Sequence, residues 1–329
     1  MNTITRITKK MSRELGLFIS LLLMIGIFAA IDPIYLSAGN LLDIVDQSTI
    51  NGLLAIGITF VIITGGIDLS IGSIMAVVIV CVGWFLTKNG IHPALAILAG
   101  IIIGAAMGVL NGLLVTHFKL QPFIATLATM SAFRGLAYII TSGWPVLDIP
   151  QNFRNMMDGD IVGNFPISIP ILLAFAIISH ILLTRTRTGT FVFSIGGNEE
   201  ATRLSGINVN FTKVVTYALC GIGAALAGMV MLARLGTGEP TAGQGYELYA
   251  IAAAAIGGTS LAGGKGSILG TLLGALILSA LKTGLVVVGV DAFWQYIATG
   301  AIIAVAAYFE IIQGKLGHFR KKLLSKKTA

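Results

Sequence analysis

The chain has 329 residues, of which 56% are hydrophobic and only 11% charged, with a mean hydropathy of +0.92 and a net charge of +7. Soluble domains carry roughly 25% charged residues, so this composition excludes an ordinary soluble enzyme or binding module and points to one membrane-embedded body. Cys81 and Cys220 lie inside apolar runs, and His92, His117, His180 and His318 are scattered singly, which leaves no disulfide framework, redox pair or metal-ligand spacing.

Apolar stretches near the roughly 20 residues needed to cross a hydrocarbon core run at 15–31, 47–64, 70–87, 93–116, 121–141, 166–184, 214–233, 248–263, 266–289 and 293–312. The expectation is an all-α polytopic membrane protein, a single transmembrane domain over 1–329 with about ten transmembrane helices. An even number of crossings puts both termini on one side. The first stretch follows Arg6, Lys9, Lys10 and Arg13 as a signal peptide would, but it is longer than the roughly 7–15 residues of a signal core and lacks a small-residue cleavage pattern before Asp32. It is expected to be retained as an anchor.

Lys and Arg are held on the cytoplasmic side of bacterial membranes. With the N-terminus inside, the inner segments take Arg6, Lys9, Lys10, Arg13, Lys119, Arg185, Arg187, Arg203, Lys213, Lys265, Lys315 and the cations of the tail. Only Lys88, Arg154 and Arg234 fall in outer loops, while Arg134 and Lys282 fall within spans. Both termini are therefore expected in the cytoplasm. The basic tail, 314–329, adjoins the last span, where anionic headgroups attract each cation by about 1 kcal/mol, so it suits membrane lipids and not nucleic acid. Outside, Asp32, Asp43, Asp46, Asp148, Asp158, Asp160, Glu239, Glu247 and Asp291 make an acid-rich face that a soluble partner would meet.

Two glycine-rich segments interrupt the apolar pattern in similar ways: TGGIDLSIGS at 64–73, with Gly65 and Gly66, and GGTSLAGGKGS at 257–267, with Gly257 and Gly258. They are candidate helix breaks or hinges, since irregular backbone at membrane depth is tolerated where it is buried or lines a cavity. The competing reading is close helix packing through small residues, as at Gly100, Gly104 and Gly108. A carboxylate at mid-bilayer costs about 2.5–3.5 kcal/mol, so Asp68 needs a partner. Arg134 and Lys282 carry similar costs, and the sequence leaves open which of the three pair.

Between the sixth and seventh stretches lies a charged loop, 185–213. Its centre reads as a short helix: Asn198 caps it, Glu199 and Glu200 sit where acids favour the N-terminus, and Gly206 ends it. Glu199 and Arg203 are spaced to pair along it. Two turns are marginal in water, so Ala201 and Leu204, three apart on one face, need something to pack against. That is either this protein's own surface or a partner.

No nucleotide or catalytic motif accompanies this loop. A phosphate loop fails at Gly264-Lys265, where Thr259 and Gly266 occupy the required Gly and Ser/Thr positions, and there is neither a nucleophile elbow nor an H-E-x-x-H helix. No catalytic residue and no metal or cofactor on this chain is expected.

Four long blocks carry a family likeness: GITFVIITGGIDLSIGS at 57–73, QPFIATLATMSAFRGLAYI at 121–139, GGNEEATRLSGINV at 196–209, and PTAGQGYELYAIAAAAIGGTSLAGGKGSILGTLLGALIL at 240–278. The chain resembles the permease subunit of bacterial ATP-binding-cassette sugar importers, most closely the ribose-type permeases, over nearly its whole length. The resemblance implies a multi-pass protein of the inner membrane that pairs with a second permease copy, binds cytoplasmic ATPase subunits holding ATP and Mg, and receives a monosaccharide from a periplasmic binding protein. It implies that the short helix couples to the ATPase through Gly197, Asn198, Glu199, Glu200, Ala201, Arg203, Leu204, Ser205 and Gly206. A translocation path for a neutral polyol would draw on modest polar groups within the spans, for which Asn51, Asn111 and Thr126 are candidates together with Asp68, Arg134, Lys282 and the glycine breaks. Side chains of this kind also bond to their own helix backbone. A stand-alone secondary carrier is the rival class, and the residues offer it few ionisable relays beyond Asp68, Arg134 and Lys282. A membrane receptor without flux is another. Within the importer reading, other aldoses or a furanose-like signalling molecule remain open as cargo.

Overall fold

The computed structural model describes residues 3–291 together with Phe293, Trp294, Gln295, Ile297, Gly300, Ala301 and Ala304, and side chains of the first helix from Glu14 onward. The expected span at 293–312 lies largely, and the basic tail at 314–329 wholly, outside the described residues. In chain order the helices are α1 (Thr3–Ile31), α2 (Ala38–Ile63), α3 (Ile71–Thr87), α4 (Pro93–Thr116), α5 (Pro122–Thr141), α6 (Gln151–Asp158), α7 (Ser168–Arg185), α8 (Arg187–Gly197), α9 (Glu199–Leu204), α10 (Val209–Leu235), α11 (Tyr246–Ile256) and α12 (Ile268–Val287), with a 3-10 turn at Pro33–Leu36. Among the described residues the only β pairing is two isolated bridges, Val146 with Gly238 and Asp160 with Pro166.

Among the described residues, seven helices are long and apolar enough to cross a membrane: α1 from Glu14, α2, α4, α5, α7, α10 and α12. Local signals set several of their ends. Proline at the first turn opens α4 and α5, where its fixed φ and missing N–H cost nothing. α2 begins nine residues before the apolar stretch at 47–64, because Ser37 Oγ accepts the Asn40 N–H and starts a helix whose first turns are polar. Hydropathy cannot register such turns. α10 likewise starts early, on the Asn208 cap.

The expected span at 248–263 is corrected. Helix α11 has 11 residues, about 16 Å, and stops at Gly257. Gly258, Gly263 and Gly264 follow in left-handed backbone, at φ of +80°, +85° and +72°, which ends a helix and does not continue one.

The core is built around α10 and α2. Glycines let their backbones approach: a Cβ on Gly104 of α4 would overlap Gly221 O of α10, one on Gly108 would overlap Tyr217 O, and one on Gly57 of α2 would stand 3.0 Å from Cys220 Cα. Without a hydrophobic force between helices in lipid, such close van der Waals contact is what holds them together. The opposite surface is apolar and exposed, with Leu15, Leu22, Leu23, Ile27 and Ile31 on α1 and Leu173, Ile177, Ile178 and Ile181 on α7, as a lipid-facing surface requires. A separate cluster of Leu21, Phe28, Tyr35, Ile44 and Ala280 fastens α1 to α12. In it the Tyr35 hydroxyl donates to Ala280 O at 2.5 Å, and burial pushes its pKa up to about 12.

At one end of the bundle the residues expected in outer loops converge. Arg234 Nη2 lies 2.7 Å from Asp46 Oδ1 and 2.9 Å from Asp158 Oδ1, and Ser168 Oγ donates to Asp46 Oδ1 at 2.6 Å. This network ties α2, α6, α7 and α10 together.

Candidate functional site

Helix α9 is the element the sequence implies. Asn198 Oδ1 accepts the Ala201 N–H at 2.9 Å, Glu199 and Glu200 occupy the first turn, and Gly206 leaves the helix at φ +82°. Thr202 is its buried residue, with Oγ1 donating to Asn198 O at 2.7 Å. Ala201 and Leu204 face away: Ala201 is exposed and Leu204 is 81% exposed. Of the two options the sequence left open for that face, the described residues of this chain do not supply the cover. Gly197, Asn198, Glu200, Arg203, Ser205 and Gly206 are exposed beside it, and Ser194, Asn198, Ala201, Thr202, Ser205 and Ile207 line a shallow open hollow.

The Glu199 to Arg203 pair forms at 3.0 Å, and a second contact joins it: Lys213 Nζ of α10 lies 2.6 Å from Glu199 Oε2. Partial burial pushes the Glu199 carboxyl up, but the hydrogen bonds and charges of Lys213 and then Arg203 outweigh it and hold the group below the ordinary carboxylate range. Glu199 thus anchors α9 to α10, a role hidden in sequence because Lys213 is fourteen residues away. Helix α8 was also hidden inside the charged loop. Its signal is Thr186, whose Oγ1 accepts the Gly189 N–H at 3.3 Å.

Both glycine segments are helix breaks. In the first, Gly65 turns at φ +80° and the chain continues without helix to Ser70. Ile67 O accepts from Thr126 Oγ1 of α5 at 3.3 Å and from Tyr217 Oη of α10 at 3.4 Å. Asp68 is fully buried, and its Oδ1 accepts from Ser70 N at 2.9 Å and Ser70 Oγ at 2.7 Å. Asn111 Nδ2 of α4 lies 3.4 Å from both carboxylate oxygens and donates to Ser70 Oγ at 2.7 Å. A hydroxyl, a backbone amide and a carboxamide therefore compensate the acid, not a cation.

Arg134 is used elsewhere. Its Nη1 donates to Pro240 O and Ala242 O, each at 2.7 Å, and its Nη2 to Gly72 O at 3.3 Å. The carbonyls of Pro240 and Ala242 belong to irregular backbone, which at membrane depth needs donors, while Gly72 is in the first turn of α3. The loop 236–245 descends along α3, with Gly238 against Ile79 and Gly243 against Gly72. It thereby brings the N-terminus of α11 to that of α3. Glu247 in the first turn of α11 lies close to Gly72, and Asp68 precedes α3, so each half-helix carries an acid where its dipole favours one.

The remaining path candidates are dispersed. Asn51 is buried on α2, and among the described residues its Oδ1 has no hydrogen-bond partner. Lys282 is exposed on α12 and is not one of the Asp68 partners. Gly257 packs against α12, where a Cβ would overlap Gly270 O.

The second break returns to the end of α8. The Gly264 N–H donates to Ile63 O at 2.8 Å, and a Cβ on Gly196 at the end of α8 would overlap both atoms. The α8–α9 segment and the two breaks thus form one contiguous structure.

The family model described as branched-chain amino acid transport system / permease component matches residues 40–307. The chain belongs to this permease family. The permease is 45% identical over 300 residues to the ribose import permease protein RbsC of Bacillus subtilis strain 168, covering 91% of this chain and 92% of the relative. It is 41% identical to RbsC of Escherichia coli K12, covering 91% and 94%, and 37% identical to the D-allose transport system permease protein AlsC of the same strain, covering 91% and 92%. No solved structure matches the permease. Its ribose-type character and its place as a multi-pass protein of the inner membrane follow from these relatives and from the seven apolar helices.

Proposed function

We propose that this permease is the membrane-spanning subunit of an importer that moves ribose or a similar aldose inward, driven by ATP hydrolysis on separate cytoplasmic subunits. Two copies would form the pathway, with both termini and α9 on the cytoplasmic side. A periplasmic binding protein would deliver the sugar to the end that carries Arg234 and Asp158. The permease itself would perform no covalent chemistry, and ATP and Mg would be held by the ATPase.

The observation that carries this reading is Leu204, an apolar side chain left uncovered on a capped, anchored helix of six residues. Such a face fits a cleft on a partner, and Gly197 through Ala201 with Arg203 through Gly206 would make that contact. ATP-driven closure of two ATPases would draw the two α9 helices together and rock the bundles between inward and outward access. Asp68, Asn111, Thr126 and Asn51 would tune the break and bundle interior along which the pathway opens, with Arg134 holding the loop that leads into α11 and the Gly257–Gly258 turn opening the second break.

Reconstitution in liposomes with candidate ATPase and binding proteins tests the function. The expected result is sugar uptake only when all three components and ATP are present. Uptake by the permease alone supports a secondary carrier, and no uptake in any combination supports a receptor.

A further inference from the structure

Three segments far apart in sequence meet backbone to backbone where α8 ends: Ile63–Gly65 after α2, Gly196–Gly197, and Gly263–Gly264 in the second break. The Gly264 N–H donates to Ile63 O, and Gly196 is pressed against that bond so closely that a Cβ would overlap both partners. A Cβ on Gly264 would stand 3.1 Å from Gly196 O, and one on Gly263 would stand 3.1 Å from both Gly196 O and Gly65 N. No side chain cushions these contacts. Side chains can absorb a displacement by changing rotamer, whereas touching backbones pass it on, because close-packed interiors transmit strain.

The connections on either side are equally short. Gly197 is followed by Asn198, the cap of α9, so α8 runs into α9 with one residue between them. Beyond Ile63 the chain leads in five residues to buried Asp68 and then into α3, and the Gly264 segment joins α11 to α12. We infer that Gly196 is the positioning residue through which movement of α9 is passed to both helix breaks at once. Displacing α9 moves Gly196 against the Ile63–Gly264 hydrogen bond, and the two breaks shift together. This rests on α9 being the ATPase docking element.

The test uses the full chain assembled with its ATPase subunits and binding protein in proteoliposomes. For Gly196→Ala the expected result is that ATPase subunits still copurify and hydrolyse ATP, while sugar uptake falls about tenfold, the size of a typical coupling contact, and loaded binding protein no longer stimulates hydrolysis. Gly26→Ala on α1, where a Cβ meets nothing within 4 Å, is the control for a helical methyl group. Uptake by Gly196→Ala within about twofold of the parent overturns the inference and leaves the functional reading standing. A parent chain that captures no ATPase overturns both. Should Gly196→Ala fail to assemble, amide hydrogen exchange on the unmodified complex decides. Exchange over 64–70 and 257–267 must change together when a non-hydrolysable ATP analogue with Mg is added, and unchanged exchange in a transporting complex overturns the inference.

Discussion

Lys213 Nζ stands 2.6 Å from Glu199 Oε2, so the first residue of α9 is tied to the first turns of α10. The carboxylate is held below its ordinary value of 4.5, which makes the tie pH-dependent. A depressed acid contributes stability that is fully present above the unfolded value and is lost as pH falls through the lower folded value. Local opening of α9, read by hydrogen exchange at Ala201 and Thr202, is therefore expected to be flat near neutrality and to rise only below about pH 4.5. Glu199→Gln is expected to bring that opening to neutral pH, by no more than roughly 1 kcal/mol because the carboxylate is 40% exposed and screened.

Leu204 separates partner binding from folding. Its side chain is 81% exposed, so Leu204→Ser is expected to change the melting temperature of the detergent-solubilised protein by the equivalent of less than about 0.5 kcal/mol. ATPase capture is expected to weaken by about tenfold or more, the signature of an apolar anchor lost from an interface. Pull-down with candidate ATPases alongside a thermal melt checks both halves.

Arg234 bridges Asp46 and Asp158, whose side chains are only 20% and 14% exposed. Arg234→Ala leaves two acids facing each other without a cation, and removing one partner of a buried pair costs about 3–5 kcal/mol. A melting temperature several degrees lower is expected. Arg234→Lys should recover part of it, since an ammonium cannot hold two carboxylates with the planar fork of a guanidinium. Equal melting of all three proteins would contradict this account.

Gly104 and Gly221 exclude side chains from each other's backbone. Gly104→Ala is expected to destabilise by about 1–3 kcal/mol through overpacking, in contrast to Gly26→Ala, where a Cβ meets nothing within 4 Å and the gain in helix propensity, up to about 1 kcal/mol, is unopposed. Parallel melts in one detergent measure the difference.

The parts legible before folding were those governed by neighbours in sequence. α4 begins and ends where its apolar stretch does, and α9 follows its cap and its terminal glycine. α6 and α8 were missed because short amphipathic helices in polar loops produce no apolar run of spanning length. The length of α11 was overestimated because Ser260, Leu261 and Ala262 keep the segment apolar enough to resemble a span, although the glycines around them adopt left-handed backbone. Asp68 was recognised as needing compensation, yet its partner on α4 could not be chosen, since Asn111 competes in the sequence with two cations of opposite charge to the acid.

Membrane residence, helical class and the family were written into the order of residues, because hydropathy, caps and long motif blocks act over a turn or two of chain. Which backbones touch was decided only in three dimensions. Nothing in the spacing of Ile63, Gly196 and Gly264 says that they meet, since contact between distant segments depends on how α2, α8 and the second break are packed by the rest of the bundle. The missing side chains of the two glycines permit that approach, and the bundle imposes it.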